Sequence, residues 1–372
     1  KGSDRMKRLV AFLFAFLLIP LAPVRADSFI TLTSTAHRNA SGIFINDQLA
    51  QDLTAVGKLG QTLFNRPRYV TNWIIDVQLI EEVEDLADGY SYLDGAKVVP
   101  VEKSVVARVW LATLRQALRG AQVSVVGYGD PSLPSVNKVA PNEISILRTL
   151  AQQRLAQWLG RDVALTSYGA TQGVSRSAEE LYKTLLGEVA VINSLITTPD
   201  IEALRLGLAS LLNPKLSNND FAELSMSYTE AVAAMKKRIR VAAGNYTITS
   251  STYALPVTVI NDFDQQINVD VDAWTSNARV LVGTVPRISV GAKSQLQIKV
   301  PLNVIASGET TLALQLHAPN GERVGNIEEI PLRLAVISPL TTWFIVGMAL
   351  ILLGAAIVQS VQRVKRRRNS GA

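Results

Sequence analysis

The stretch Val125–Leu133, VVGYGDPSL, decides how the first half of this chain is read. Together with Gln122-Val-Ser it makes a short apolar strand, Gln122–Val126, that stops abruptly at Gly-Tyr-Gly-Asp-Pro. Glycine accepts the positive φ of a tight turn, and Asp-Pro is turn chemistry in its own right. A buried strand that ends in a turn carrying a carboxylate is the architecture of β/α folds, whose sites lie at the C-terminal ends of parallel strands. Asp130 therefore has two readings, a carboxylate of a site or a residue that fixes a turn.

Working outward from that strand, the same alternation recurs. Phe29–Ser34 and Tyr69–Ile75 read as strands, the second ending at Asp76. Asp47–Leu63 reads as a helix with Leu49, Leu53, Val56, Leu59 and Leu63 on one face. Val77–Leu86 reads as a short helix, Ala87–Val99 as a polar loop, and Ser104–Leu118 as a helix with Val105, Val109, Ala112 and Leu118 inward. Glu143–Leu159 is a helix, Val163–Ser167 a strand, Ala178–Leu186 a helix and Val189–Asn193 a fifth strand. Repeated strand–helix–strand units imply parallel pairing with right-handed crossovers. The expected fold is an incomplete TIM-like (β/α) barrel over residues 27–198, with an open parallel sheet as the alternative. A helical segment, 199–243, follows as Asp200–Leu212 and Asn219–Ala242, broken at Asn213-Pro214.

Near Gly244 the texture changes. Short runs such as Pro256–Ile260, Ile267–Val271, Gln295–Val300 and Thr311–Leu316 alternate apolar and polar residues, punctuated by Asn-Asp, Ser-Gly and Asn-Gly pairs. This pattern predicts an immunoglobulin-like β-sandwich over 244–336. The fold class is thus α/β plus all-β.

The two ends bound the location. Met6-Lys-Arg precedes an apolar run, Leu9–Ile19, and Val24-Arg-Ala26 offers small residues for cleavage, so residues 6–26 are expected to be a signal peptide. Residues 339–362 carry no charged side chain and are expected to form one transmembrane helix. The tail, 363–372, holds Arg363, Lys365, Arg366, Arg367 and Arg368, which favours the cytoplasmic side and hence a single-pass type I protein with an extracytoplasmic body. Those tail charges account for most of the formal net charge of +6, so the body is near neutral and no nucleic-acid partner is expected. The chain has no cysteine, which excludes disulfides and thiolate metal sites.

The order of parts then matches a known pattern. Trp73–Asp76 (WIID), Gly127–Leu133 (GYGDPSL) and Tyr246–Asp262 (YTITSSTYALPVTVIND), followed by a sandwich and a basic-tailed span, resemble the actinobacterial membrane-protein family DUF6049 over most of Asp27–Arg368. Val77 stands where that family has proline after the aspartate, and Ser132 where it has a second acid. Compared with longer relatives, the chain is expected to lack a large N-terminal region. The resemblance implies a cell-envelope location and, through gene neighbours in some members, a link to wall assembly. It also implies a distant fold-level likeness to glycoside-hydrolase and polysaccharide-deacetylase barrels.

The strand ends supply the candidate site. Asp76 and Asp130 are the candidate catalytic carboxylates, one as acid and one as base or nucleophile of a glycosidase. Both also suit helix-capping or turn roles. His37, Tyr128 and Tyr168 are candidate ligand-binding residues, since aromatic rings beside a carboxylate suit sugars. A metal-dependent deacetylase needs more histidines than the single one in this region, so no metal is expected. Gly127-Tyr-Gly129 is no dinucleotide fingerprint and no Gly-x-Ser-x-Gly elbow occurs, so no cofactor is expected. The favoured expectation is a non-catalytic scaffold that binds wall glycan or an envelope membrane protein. The alternative is a hydrolase using Asp76 and Asp130.

Overall fold

The computed structural model describes residues 29–67, 71–336 and 339–369. The expected signal peptide, 6–26, lies outside the described residues. The chain forms two compact units, Lys1–Tyr182 with Ala209–Ser225, and Lys183–Leu208 with Met226–Ala372. It is a mixed α/β protein with curled, half-barrel sheets and one apolar C-terminal helix.

The first unit is built on a four-stranded parallel sheet. Strands β1 (Phe29–Leu32) and β2 (Asn72–Ile75) pair in register, Leu32 beside Ile75. Between them lie helices α1 (Gln48–Asp52) and α2 (Lys58–Phe64). After β2 come α3 (Val77–Asp88), the hairpin β3 (Tyr90–Asp94) and β4 (Lys97–Val101), and α4 (Val105–Ala117). Strand β5 (Gln122–Val125) then pairs with β2. Helices α5 (Leu133–Val139) and α6 (Glu143–Leu159) lead to the short strand β6 (Ala164–Leu165), giving the order β1-β2-β5-β6. Leu32, Trp73, Ile75, Val123 and Val125 are buried, as a sheet covered by crossover helices requires. Thr31 is exposed and Ser124 half-buried, so the sheet's other face stays open around Ile74.

Several local expectations need correction. The helix expected over Asp47–Leu63 is two helices. An added Cβ at Gly57 would stand 2.3 Å from the Gln51 carbonyl oxygen, so the glycine permits a tight reversal there, and Val56 is 83% exposed. The expected polar loop, Ala87–Val99, contains most of the β3–β4 hairpin. Asp94 pairs with Lys97, so its two-residue turn is Gly95-Ala96, with Gly95 at φ +60°, an ordinary hairpin signal. In α4 the buried residues are Ala107, Trp110, Leu111 and Leu114, while Val105 and Val109 face solvent. The fifth strand, Val189–Asn193, does not form. One helix, α7 (Arg176–Leu195), covers it. Ala178, Tyr182, Leu185, Val189 and Ile192 are all buried, and their 4-3-4-3 spacing is one helical stripe that runs through the β-branched segment.

Helices α8 (Pro199–Ser210) and α9 (Asn218–Lys236) follow. The expected helix to Ala242 stops early, because Ile239–Ala242 is strand β7. The second unit then runs through β8 (Tyr246–Ile248), β9 (Thr252–Asn261), β10 (Ile267–Thr275), β11 (Val280–Val282), β12 (Ile288–Val290), β13 (Ser294–Val304), β14 (Gly308–His317) and β15 (Arg323–Leu334). Two sheets result, β12-β10-β14-β15-β8 and β11-β13-β9-β7. Pairing is antiparallel except between β15 and β8. Alternate residues are buried along each long strand: Leu255, Val257 and Val259 on β9, Ile298, Val300 and Leu302 on β13, and Ile330, Leu332 and Leu334 on β15. This period of two marks sheets with one core-facing side. Asn261, fully buried, ties their turns together, its side-chain N–H groups donating to the carbonyls of Gln265 and Gly291 at 2.8 Å each.

The last helix, α10 (Pro339–Asn369), contains an apolar segment, Trp343–Arg363, long enough to cross a membrane, with a mean hydropathy of 2.4 in its most apolar window and no burial against the rest of the chain. Leu350, Ile351, Leu352 and Leu353 are all exposed.

Candidate functional site

The turn after β5 is set by two residues with left-handed backbone. The Gly127 carbonyl accepts the Asp130 N–H at 2.9 Å, closing a four-residue turn with Gly129 at φ +78°. Asp130 itself lies at φ +44°, a region that aspartate and asparagine enter more readily than other side chains. Gly129 cannot be replaced without collision, since an added Cβ would meet Gln78 Oε1 at 2.6 Å and Ser210 Cβ at 2.9 Å. The Gly129 carbonyl accepts the Asn213 side-chain N–H at 2.9 Å, and Asn213 is buried.

Asp76 holds this turn from below. It is the N-cap of α3, and its Oδ1 accepts the Gln78 N–H at 3.0 Å and the Gly129 N–H at 3.1 Å. It is 1% exposed. Burial drives its pKa well above the ordinary carboxylate range; the two backbone hydrogen bonds oppose this, and the charges of Asp130 and Glu82 add to it. The structure thus brings the two candidate carboxylates into each other's field, but through the Gly129 backbone.

Beside Asp76 lies a second buried acid. Glu82, 1% exposed, accepts hydrogen bonds from the His37 and Arg38 backbone N–H groups at 3.1 and 3.3 Å and from the Gln78 amide at 3.1 Å. Its other oxygen lies 3.5 Å from His37 Nδ1. Burial raises its pKa, with His37 as the largest opposing influence. His37 is 5% exposed, and its Nδ1 is 2.7 Å from the Thr35 carbonyl. Tyr128 is equally buried. Its hydroxyl donates to Glu81 at 2.7 Å, and Arg154 both pairs with Glu81 and lies over the Tyr128 ring. Burial and the Glu81 charge push the Tyr128 hydroxyl pKa well up.

The open face of the sheet carries a cleft of about 300 Å³. Thr31, Thr33 and Ile74 line it with Asp130, Tyr168 and Lys215. At one side the Phe29 and Tyr168 rings meet at a 42° tilt with centroids 4.9 Å apart, both partly exposed. Asp130 Oδ1 accepts the Ala170 N–H at 3.1 Å, and its Oδ2 lies 3.7 Å from Lys215 Nζ, which also donates to Thr33 Oγ1 at 3.2 Å. Of the five residues expected at the site, Asp130 and Tyr168 reach the cleft. Asp76, His37 and Tyr128 are packed outside its lining. Lys215 and Phe29 were not foreseen: Lys215 is 85 positions from Asp130 in sequence, and its only local signal was the Asn213-Pro214 break. No group of three or more His, Cys, Asp or Glu side chains among the described residues could hold a metal ion.

A family model described as a family of unknown function, DUF6049, matches residues 132–369. The chain belongs to the DUF6049 family. The match takes in Tyr168, Lys215, both sheets of the second unit and the apolar helix of this DUF6049 protein, and starts just after Asp130, so the WIID and GYGD elements precede it. No curated protein sequence matches the chain. Solved structures similar to part of it include WR4, a C. elegans MSP family member (16% identity, 27% of this chain and 98% of that one, TM-score 0.20). Others are the E. coli chaperone DraB (16%, 27% and 57%, 0.20) and Salmonella alpha-2-macroglobulin (10%, 26% and 7%, 0.21). At such TM-scores these likenesses say nothing about what the DUF6049 chain does.

Proposed function

We propose that this DUF6049 protein is a membrane-anchored, extracytoplasmic component of the bacterial cell envelope whose half-barrel cleft binds wall glycan without cleaving it. The observation that carries this reading is the make-up of the cleft. One carboxylate, Asp130, sits opposite one ammonium, Lys215, beside threonine hydroxyls and the Phe29–Tyr168 ring pair. Rings suit the C–H faces of a sugar, and the charged pair and hydroxyls suit its hydroxyl and amide groups. Glycosidic cleavage by the usual route needs two carboxyl groups flanking the bond. The second candidate, Asp76, is buried and spends one oxygen on two backbone N–H groups.

The sequential order of the four parallel strands favours reading the first unit as an arc of a TIM-like (β/α) barrel, and the period-two burial of the second unit favours an immunoglobulin-like sandwich acting as a spacer. The basic residues from Arg363 to Arg368 favour a type I orientation with the body outside. The test is binding of purified wall-glycan fragments to the full chain in detergent, by calorimetry, alongside release of soluble glycan from wall sacculi. Tyr168→Ala is expected to weaken binding about tenfold, on the scale of one lost ring contact. Glycan release by the wild type that vanishes in Asp130→Asn would instead establish a hydrolase.

A further inference from the structure

One end of the second unit differs from the other. Five hydrogen bonds gather its segments: Val304 N–H to the Ser251 carbonyl (2.7 Å), Ile305 N–H to the Arg279 carbonyl (2.7 Å), Arg279 Nη1 to the Ser307 carbonyl (2.6 Å), Ser307 Oγ to the Val336 carbonyl (2.8 Å) and Ala335 N–H to the Ile248 carbonyl (2.8 Å). Segments from three separate loops therefore share this end with Val336, the residue from which the chain leaves toward α10. Ile305 is 62% exposed there, Leu281 55% and Tyr253 36%. Leu281 and Tyr253 line an open apolar groove with Pro301 and Leu302. Arg279 and Arg333 stand among these residues, with Glu309 3.5 Å from Arg333, and exposed Ser250, Ser276, Asn277 and Ser307 surround them. At the opposite end, where β14 finishes at His317, the exposed residues are polar: Asp264, Gln265, Lys293, Asn320 and Glu322. The length of β14, ten residues, separates the two ends by about 30 Å.

We propose that the end carrying Ile305, Leu281 and Tyr253 is a lipid-contacting surface that rests in the headgroup layer of the membrane crossed by α10. This rests on α10 being a membrane span and is independent of what the cleft binds. The connection leaves little choice of position. Val336 to Pro339 is three residue steps, at most about 11 Å of chain. Pro339 to Trp343 is four helical steps, about 6 Å. Trp343 is the type of residue that settles at the membrane–water interface. The apolar end of the unit is therefore tethered within about 17 Å of the interface, while the polar end is free to stay in water. Apolar side chains set among arginines are the composition of surfaces that enter the boundary between headgroups and acyl chains to a depth of roughly 5–10 Å. An exposed apolar groove facing water at that position would otherwise be an association hazard.

The chain has no native cysteine, so single reporters can be placed without background. Leu281→Cys, Ile305→Cys, Asn320→Cys and Ile351→Cys, each in the full chain, would carry an environment-sensitive fluorophore and be reconstituted into vesicles of phosphatidylcholine and phosphatidylglycerol. Some vesicles would bear nitroxides on the headgroup and others on the acyl chain. The expected result is a blue shift at positions 281 and 305 with loss of most of their fluorescence to headgroup nitroxides, no change at 320, and quenching of 351 by acyl-chain nitroxides. If 351 is quenched but 281 and 305 behave like 320, the proposal fails and the span stands. If 281 and 305 are shielded from aqueous iodide yet untouched by lipid nitroxides, a protein covers this end and the proposal fails. If 351 escapes acyl-chain quenching, the span and the proposal fall together.

Discussion

Asp130 owes its position to its backbone as much as to its carboxylate. At φ +44°, with the Ala170 N–H bound to Oδ1, it combines a conformation that most side chains resist with a hydrogen bond that orders the loop after β6. The two demands separate three substitutions. Asp130→Asn keeps the left-handed tolerance and an acceptor for Ala170, and loses only a Lys215 contact at 3.7 Å to a half-exposed ammonium, so it should cost well under about 1 kcal/mol. Asp130→Gly keeps the backbone and loses the acceptor. Asp130→Ala loses both and should cost roughly 1–3 kcal/mol. Urea titrations of the three should rank them Asn, Gly, Ala. Equal losses for Gly and Ala would mean that the backbone is unstrained and the carboxylate acts alone. Asp130 is thus both a turn former and a cleft residue, because its two oxygens face different ways.

At the scale of elements, α7 makes the sharpest test. Gly187 lies in mid-helix, exposed, and an added Cβ there would meet nothing within 4 Å. Gly187→Ala should therefore stabilise the protein by about 0.5–1 kcal/mol through helix propensity and a less disordered unfolded chain. A thermal melt that instead falls would point to a break in the helix at that glycine. The elements also mark where the sequence could and could not be read. Strands β2 and β5 were legible because Trp73-Ile-Ile and Gln122-Val-Ser-Val are short apolar runs followed by turn or cap residues, and α6 because Gly160 ends it in a left-handed cap. The Val189–Asn193 segment misled because β-branched residues outweighed a stripe that begins eleven residues earlier, at Ala178. The β3–β4 hairpin was hidden by polar composition although Gly95 marked its turn. In the site, Asp130 and Tyr168 were legible from strand ends. Burial of Asp76, His37 and Tyr128 was not, since it depends on Gln78, Glu82 and Glu81 arriving from one face of α3. Lys215 was beyond local reading because only the fold brings it to Thr33.

At the scale of the whole molecule, the first unit carries a cost at neutral pH. Asp76 and Glu82 are buried acids whose pKa values are raised in the folded chain, chiefly by loss of solvation. A folded acid with a raised pKa binds more protons than the unfolded chain, so stability rises as pH falls from the raised value toward the ordinary carboxylate pKa near 4. Unfolding followed by circular dichroism from pH 8 to 5 should show increasing stability on acidification. Asp76→Asn, which keeps an N-cap oxygen for Gln78 and Gly129, should raise the midpoint at pH 8 and flatten that rise. A wild type that weakens steadily from pH 8 to 5, with Asp76→Asn parallel to it, would contradict the assignment.

The pairing of β15 has a mechanical consequence. This strand is flanked by β14 along its length, from Leu334 opposite Gly308 to Arg323 opposite His317, and by β8 running in the same direction beside Leu332–Leu334. Because α10 follows its C-terminal end, a pull on that helix would reach the second unit at β15. The antiparallel ladder bonds to β14 lie across the strand axis, so a pull directed along β15 would load them side by side in shear. A load along this strand is therefore shared among many bonds at once rather than borne by a single turn.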